Sequence, residues 1–376
     1  MAANGVNQRE RMRERPRKGG KPMSKSFVNK ALLGGAVAAG AAVWAIAPRS
    51  FSDKRRHYVP AVPDVWYAHR GLHDAGSGLT AQYANESGEY VALARRMAMK
   101  AGYGSPDTPG VIAPENSLAA FAAACEAGYG IELDLQMTRD GEVVVVHDGD
   151  LMRVAGDPRR IADLTYDELT RIPLFPTDAP GACKAAPLPL ALEEPPLVTT
   201  PDNAPEGYYQ HVPLFADVLK VVAGRVPLIV EYKFDDNSKW DPRDVELMEK
   251  GDALLQAYSG KYVIESFNPA AVNWYKENRP EVCRGQLSWW PSGEDKPTDP
   301  VALGKEYAAG ALVFDWISRP DFVAYDWKGG NSPQVKLARF MGAVPVSWTV
   351  RSRDEYAQCC DQFDRHIFEA FVPDEQ

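Results

Sequence analysis

From Val65 onward the chain repeats one unit: a short apolar run rich in β-branched or aromatic residues, then a stretch with helical spacing. The apolar runs cover residues 65–68, 130–136, 143–146, 227–233, 261–267, 284–288, 311–316, 345–350 and 366–371. Strand–helix alternation along a single chain builds a parallel sheet with right-handed crossovers. A chain of 376 residues has room for an α/β TIM barrel of about 250 residues, with insertions and a tail. Nine runs compete for the barrel's eight places, so one of them is a short extra strand.

The helical stretches carry their own punctuation. Leu118, Phe121, Ala122 and Cys125 recur at i, i+3, i+4 and i+7. Asn116 or Ser117 caps that helix, and Gly128 ends it. Thr165 and Glu168 have the spacing of a capping box. Two insertions break the alternation, at about 72–113 and 174–212. The first holds a helical piece near 90–100. The second is rich in Pro and Ala and is expected as a surface loop. Both follow strands whose ends carry polar residues, so both should rise from the functional face.

Four apolar runs end in chemically useful groups. The first ends in His69-Arg70-Gly71, and the third in His147-Asp148. The second holds Glu132 and Asp134, and the fourth Glu231 and Lys233; each pair shares one face because strand side chains alternate. A single strand-end histidine is ordinarily just a hydrogen-bonding residue. Three carboxylates, two histidines, an arginine and a lysine on one rim are harder to dismiss, because isolated buried charges are costly. Glu132, Asp134 and Glu231 suit a hard divalent cation such as Ca²⁺ or Mg²⁺. Arg70 and Lys233 suit a phosphate, and His69 with His147 suit general acid–base work near neutral pH. Together these groups fit phosphodiester cleavage.

The series H-R-G (69–71), P-E-N-S (114–117), I-E-L-D (131–134), V-V-H-D (145–148), V-E-Y-K (230–233), E-S-F-N-P (265–269) and S-W-T-V (347–350) resembles the bacterial glycerophosphodiester phosphodiesterase family. Seven motifs in the family's order are specific where any one is weak. The resemblance implies a TIM barrel over 65–376 that hydrolyses glycerophosphodiesters to an alcohol and sn-glycerol 3-phosphate. It implies one cation on Glu132, Asp134 and Glu231, acid–base roles for His69 and His147, and phosphate contacts from Arg70 and Lys233. It also places Glu115 and Asn116 near the site, Glu115 as an extra or water-mediated ligand. Phe267 and Trp348 become apolar walls, a role that core packing explains equally well. Attack by the substrate's own glycerol 2-hydroxyl or by water would both be served. The long spacer between H-R-G and P-E-N departs from the family pattern and leaves substrate size open. A lysophospholipase D-like activity on membrane lysolipids, and a non-catalytic phosphate-binding module, are the competing readings.

Ahead of the barrel, residues 31–47 form an uncharged apolar run between Lys30 and Arg49. Its length is at the short end for a bilayer span, and it is expected as a transmembrane signal anchor over 31–48, with a linker at 49–64. Residues 1–30 carry nine Lys or Arg and two acids and read as a disordered basic tail. By the positive-inside rule the tail is cytoplasmic and the barrel lies outside the cell membrane. The formal charge of −9 argues against a nucleic-acid binder. Five cysteines without a C-x-x-C pair give neither a zinc knuckle nor a disulfide framework.

Overall fold

The computed structural model describes residues 40–52, 62–108, 110–176, 210–235, 237, 239–292 and 296–374. Eight parallel strands close into a barrel: β1 Trp66–His69, β2 Gly130–Met137, β3 Leu228–Tyr232, β4 Tyr262–Ser266, β5 Arg284–Ser288, β6 Phe322–Asp326, β7 Val344–Val350 and β8 Arg365–Phe368. Closure comes from β1, which pairs with both β2 and β8. Alternate residues fill the lumen: Tyr67, Ile229, Val263, Phe322, Val346 and Ile367 form one buried cluster. Their neighbours along the strands, among them Ala68, Ile131, Val230 and Phe368, join the larger core under the helices. The floor is crowded. A Cβ on Gly130 would stand 2.7 Å from the Tyr67 ring, and one on Gly285 would collide with the Phe322 ring.

One expectation about strands is met and one is corrected. The extra strand is Val143–Val145, which pairs antiparallel with β2 outside the barrel. The run at 311–316 is not a strand: it is a turn followed by the one-turn helix Asp315–Ser318. Leu312, Asp315 and Ser318 are buried while Val313 and Trp316 are exposed, a period of three that no strand has. The barrel strand that belongs there is β6, which starts two residues after Pro320.

The first insertion folds into a scaffold. Its helix α1, Ala84–Lys100, packs over α2, Leu118–Ala127. Sandwiched between α1 and the barrel, α2 is buried from Leu118 through Ala124, which explains its alanines: a helix apolar all round needs cover all round. Ser117 accepts from the Ala120 N–H at its start, and Gly128 ends it in the left-handed conformation at φ 79°. The insertion is pinned by a buried pair, Arg95 NH1 to Asp74 Oδ2 at 2.7 Å. Asp74 also accepts from the N–H groups of Ile112 and Ala113, at 2.9 and 2.8 Å.

The tail at 1–30 and most of the second insertion, 177–209, lie outside the described residues. So do residues 31–39 of the expected span and 53–61 of the linker. Among the described residues no helix is long and apolar enough to cross a membrane. The expected boundaries also shift, because Ile46 and Ala47 are buried in the barrel's own core cluster.

Candidate active site

Strand register assembles the site. His69 on β1 stands beside Glu132 on β2, Asp134 beside Glu231 on β3, and Glu231 beside Glu265 on β4. All point into the lumen at the C-terminal end, one or two residues above the apolar filling. Glu132, Asp134 and Glu231 each offer a carboxylate oxygen, and the three oxygens lie within 4.8 Å of one another. All three side chains are buried.

Such crowding has an electrostatic signature. Burial and the charges of Asp134 and Glu231 push the Glu132 carboxyl well above the usual range. Burial raises Glu231 to about 7 despite the nearby Lys233. Burial alone would raise Asp134 too, but Lys233, His147 and Arg70 hold it ionised. Asp134 Oδ1 and Glu231 Oε1 are buried without a hydrogen-bond donor. Oxygen ligands, mutual repulsion and unfilled acceptors are what a hard divalent cation requires, so the residues fit one.

Cations of the chain flank the cluster. Lys233 Nζ lies 3.0 Å from Glu231 Oε2 and 3.4 Å from Asp134 Oδ1. Arg70 takes a positive φ of 57°, and its N–H donates to Glu132 Oε2 at 3.2 Å. Its Nε is 3.4 Å from Asp134 Oδ2, and its NH1 donates to Glu115 Oε1 at 2.8 Å. Asn116, also at positive φ, donates to Asp134 Oδ2 at 2.8 Å. Glu115 does not join the ligand triad. Its oxygens accept from Arg70, from Arg153 at 2.6 and 2.9 Å and from the Ser77 N–H at 2.7 Å. Those cations hold its carboxyl down at about 2 against the opposing effect of burial.

The two histidines stand on either side of this charge. His69 Nε2 is 3.9 Å from Glu132 Oε2. His147, carried in at the end of the extra strand, is close enough to Asp134, Arg70 and Lys233 to exchange charge effects with them. Burial and Arg70 bring His69 down to about 4. Burial, Arg70 and Lys233 lower His147 as well. Each ring's Nδ1 faces a carboxylate: Asp148 Oδ1 at 2.6 Å from His147, and Glu369 Oε2 at 3.1 Å from His69. Both carboxyls are held below the usual range, where a carboxylate only accepts, so each Nδ1 carries the proton and each Nε2 is the free base. Phe267 and Trp348 are half-buried, with their rings edge-to-face at 5.5 Å; Lys233 Nζ sits 5.7 Å from the Phe267 ring centre.

Glu369 was missed in the sequence. It is fully buried one residue past β8 and also accepts from His73 Nε2 at 3.1 Å, the Gly78 N–H at 2.8 Å and Arg351 Nε at 3.0 Å. His73, Gly78 and Ser77 come from the first insertion, so that segment contributes to the mouth as well as to the scaffold. Arg153 and Glu265 were missed too. Glu265 is buried beside Glu231, and burial followed by the Glu231 charge raises it well above the usual range. The available signal was the same for Glu265 and Glu369: an acid at the end of an apolar run.

A sequence model of the Glycerophosphoryl diester phosphodiesterase family matches residues 105–364. A glycerophosphodiester phosphodiesterase of Caldanaerobacter subterraneus subsp. tengcongensis is 43% identical over 60 residues, 16% of this chain and 25% of that protein. A putative glycerophosphodiester phosphodiesterase of Bacillus subtilis is 27% identical over 173 residues, 45% of this chain and 58% of that one. The chain thus spans about a quarter of the length of the Caldanaerobacter protein and of two Bacillus relatives, and just over half of the other. The crystal structure of a putative glycerophosphoryl diester phosphodiesterase from Silicibacter pomeroyi has the same fold, with a TM-score of 0.50 and 18% identity over 83% of this chain and 92% of that one.

Proposed function

The chain belongs to the glycerophosphoryl diester phosphodiesterase family, and from that premise and the geometry of the mouth we propose that it hydrolyses glycerophosphodiesters to an alcohol and sn-glycerol 3-phosphate with the help of one divalent cation. The observation that carries this reading is the juxtaposition of three buried carboxylates with two histidines, each of which hydrogen-bonds through Nδ1 to an ionised carboxylate. Glu132, Asp134 and Glu231 would hold the cation, Ca²⁺ or Mg²⁺; when bound it supplies charge neutralisation and polarises a phosphoryl oxygen. Arg70 and Lys233 draw the phosphate to the mouth. Arg70 contributes donors fixed by its pairing with Glu115, and Lys233 a point charge.

His69 is the deeper of the two histidines and presents its Nε2 lone pair beside Glu132. It takes the proton from the attacking hydroxyl: water, which gives glycerol 3-phosphate directly, or the substrate's own glycerol 2-hydroxyl, which gives a cyclic phosphate that water then opens to glycerol 3-phosphate. His147 is more open to solvent, and Asp148 stabilises its imidazolium; the ring takes up a proton from solvent at Nε2 and gives that proton to the leaving alkoxide. The apolar run upstream of residue 43 tethers the barrel to the cell membrane.

A panel of glycerophosphodiesters assayed with Mg²⁺, Ca²⁺ and EDTA tests the proposal. Release of glycerol 3-phosphate should require a divalent cation and should fall by about two orders of magnitude or more in His69→Ala and in His147→Ala. Turnover at the wild-type rate in both variants would remove the assignment.

A further inference from the structure

We infer that the N-terminal end of the barrel is a seat for the membrane interface: Trp44, Phe51, Trp316 and Phe340 rest at headgroup level, and the catalytic mouth is turned away from the bilayer. The inference rests on the membrane tether proposed above and adds the orientation of the barrel on it.

Residues 43–52 form a strap across the barrel's lower end. Ile46 and Ala47 are buried in the core. The Arg49 N–H donates to Pro320 O at 3.0 Å, and Ser50 Oγ donates to Met341 O at 3.2 Å. Pro320 precedes β6 and Met341 precedes β7, so the strap crosses the strand starts, opposite the catalytic rim. Arg319 NH1 fastens it further, donating to Trp44 O at 2.7 Å and Ala47 O at 2.8 Å.

With the strap fixed in this way, large apolar side chains remain in solvent. Trp44 is 56% exposed, Phe51 52%, Trp316 44% and Phe340 87%. The Trp44 and Trp316 rings stack at 5.5 Å, and Phe51 and Phe340 are the sequence neighbours of Ser50 and Met341, which are joined by a hydrogen bond. The Arg319 guanidinium lies 5.0 Å over the Trp44 ring. An aromatic cluster of this kind on a soluble surface marks a docking site. Tryptophans alongside arginine are the composition of a bilayer's interfacial belt.

The sequence just upstream selects the bilayer over a protein partner. The uncharged run 31–47 itself contains Trp44, and Lys54, Arg55 and Arg56 follow the strap, a basic cluster suited to anionic headgroups. With residues 43–47 committed to the barrel, only 31–42 of the run remain, fewer than the roughly 17 residues a bilayer-spanning helix needs, so the run would enter the bilayer surface directly beside the strap. A tether that short leaves no slack between the strap and the lipid. The mouth is then a strand's length further out, roughly 15–20 Å, where it meets dissolved glycerophosphodiesters and not lysolipids of the bilayer that carries the barrel.

The test uses the full chain in vesicles of phosphatidylcholine with a minority of phosphatidylglycerol, the lipids brominated near the headgroup. Bromine quenches indole emission on contact. The expected result is co-flotation with the vesicles and a loss of emission no larger than the share of two of the chain's nine tryptophans. That loss should vanish in Trp44→Phe/Trp316→Phe, while hydrolysis of glycerophosphocholine stays unchanged. Quenching that survives this double substitution but disappears in Trp240→Phe/Trp290→Phe would mean that another surface faces the lipid and would overturn the inference. Flotation with no quenching would overturn it by showing a barrel held clear of the bilayer. Failure to float at all would remove the tether itself, and an active enzyme in the aqueous fraction would show that the catalytic proposal stands apart from it.

Discussion

Replacing Glu369 by Gln changes one buried atom's chemistry and almost no volume. In the wild type, both Glu369 oxygens accept hydrogen bonds, Oε1 also from the Ser77 hydroxyl at 3.4 Å. His73 Nε2 and the Gly78 N–H approach Oε1, and His69 Nδ1 and Arg351 Nε approach Oε2. A glutamine must turn its NH₂ toward one of these sets. Facing Gly78, it meets a backbone N–H that cannot become an acceptor. Facing His69, it forces the proton from Nδ1 to Nε2, so the lone pair beside Glu132 is lost and the histidine can no longer accept a proton there. A buried donor left unpaired costs about 1–3 kcal/mol, and a hydrogen bond to a charged group is worth about 1.5–3 kcal/mol. A loss of about 2–3 kcal/mol in the transition state lowers kcat about 30- to 150-fold. KM should hold, because Glu369 acts through His69. The assay is glycerol 3-phosphate release at saturating cation, carried through a cycle of Glu369→Gln, His69→Ala and the double variant. With His69 gone, the glutamine should cost almost nothing further. A kcat within threefold of wild type, or penalties that simply multiply in the double variant, would refute the idea that Glu369 works by fixing the tautomer of His69.

Further outcomes follow from the same structure. A divalent cation at a hundred times its Kd should stabilise the fold by about 2.7 kcal/mol, read as a rise in Tm that EDTA reverses and Glu231→Gln removes. Without the cation, Glu231 titrates near 7 in the fold and lower when unfolded, so the folded state binds the extra proton and stability falls as pH rises from about 4.5 to 7; calorimetry in EDTA should show that slope, and Glu231→Gln should reduce it. Buried His366 has the opposite sign: burial lowers it to about 4, so only the unfolded chain is protonated between 6.5 and 4, and wild type should lose about 3 kcal/mol relative to His366→Asn as pH falls through that window. Arg95→Met leaves the Asp74 carboxylate buried without its cation and should cost about 3–5 kcal/mol in urea unfolding; kcat of the folded fraction should not change, because this pair anchors the insertion and touches nothing in the mouth.

The parts of this molecule legible in the sequence were those written in local periods. The alternation of Glu132 and Asp134 with Ile131 and Leu133 placed two ligands on one face before any fold was known, and Ser117 and Gly128 marked both ends of α2. The run at 311–316 misled because Leu312, Val313, Phe314 and Trp316 are apolar at a spacing that a strand and a tight helical turn share; burial at every third residue decided for the turn. The next run, β6, was overlooked although Phe322 and Ala324 fill the lumen. Glu369 was hidden for a different reason. Its partner His69 is three hundred positions away, and nothing within either segment points to the other. What joins them is closure: β1 lies against β8 in the register Trp66 to His366 and Ala68 to Phe368, which carries the following positions, 69 and 369, to the same height on adjacent strands. The same reasoning sets His69 against Glu132 and Asp134 against Glu231. Once a chain is known to close as a parallel barrel, register becomes a rule for pairing distant residues. Every acid or base at or one step beyond the C-terminal end of a barrel strand is then a candidate neighbour of its counterparts on the two flanking strands, and applied to β8 that rule finds Glu369.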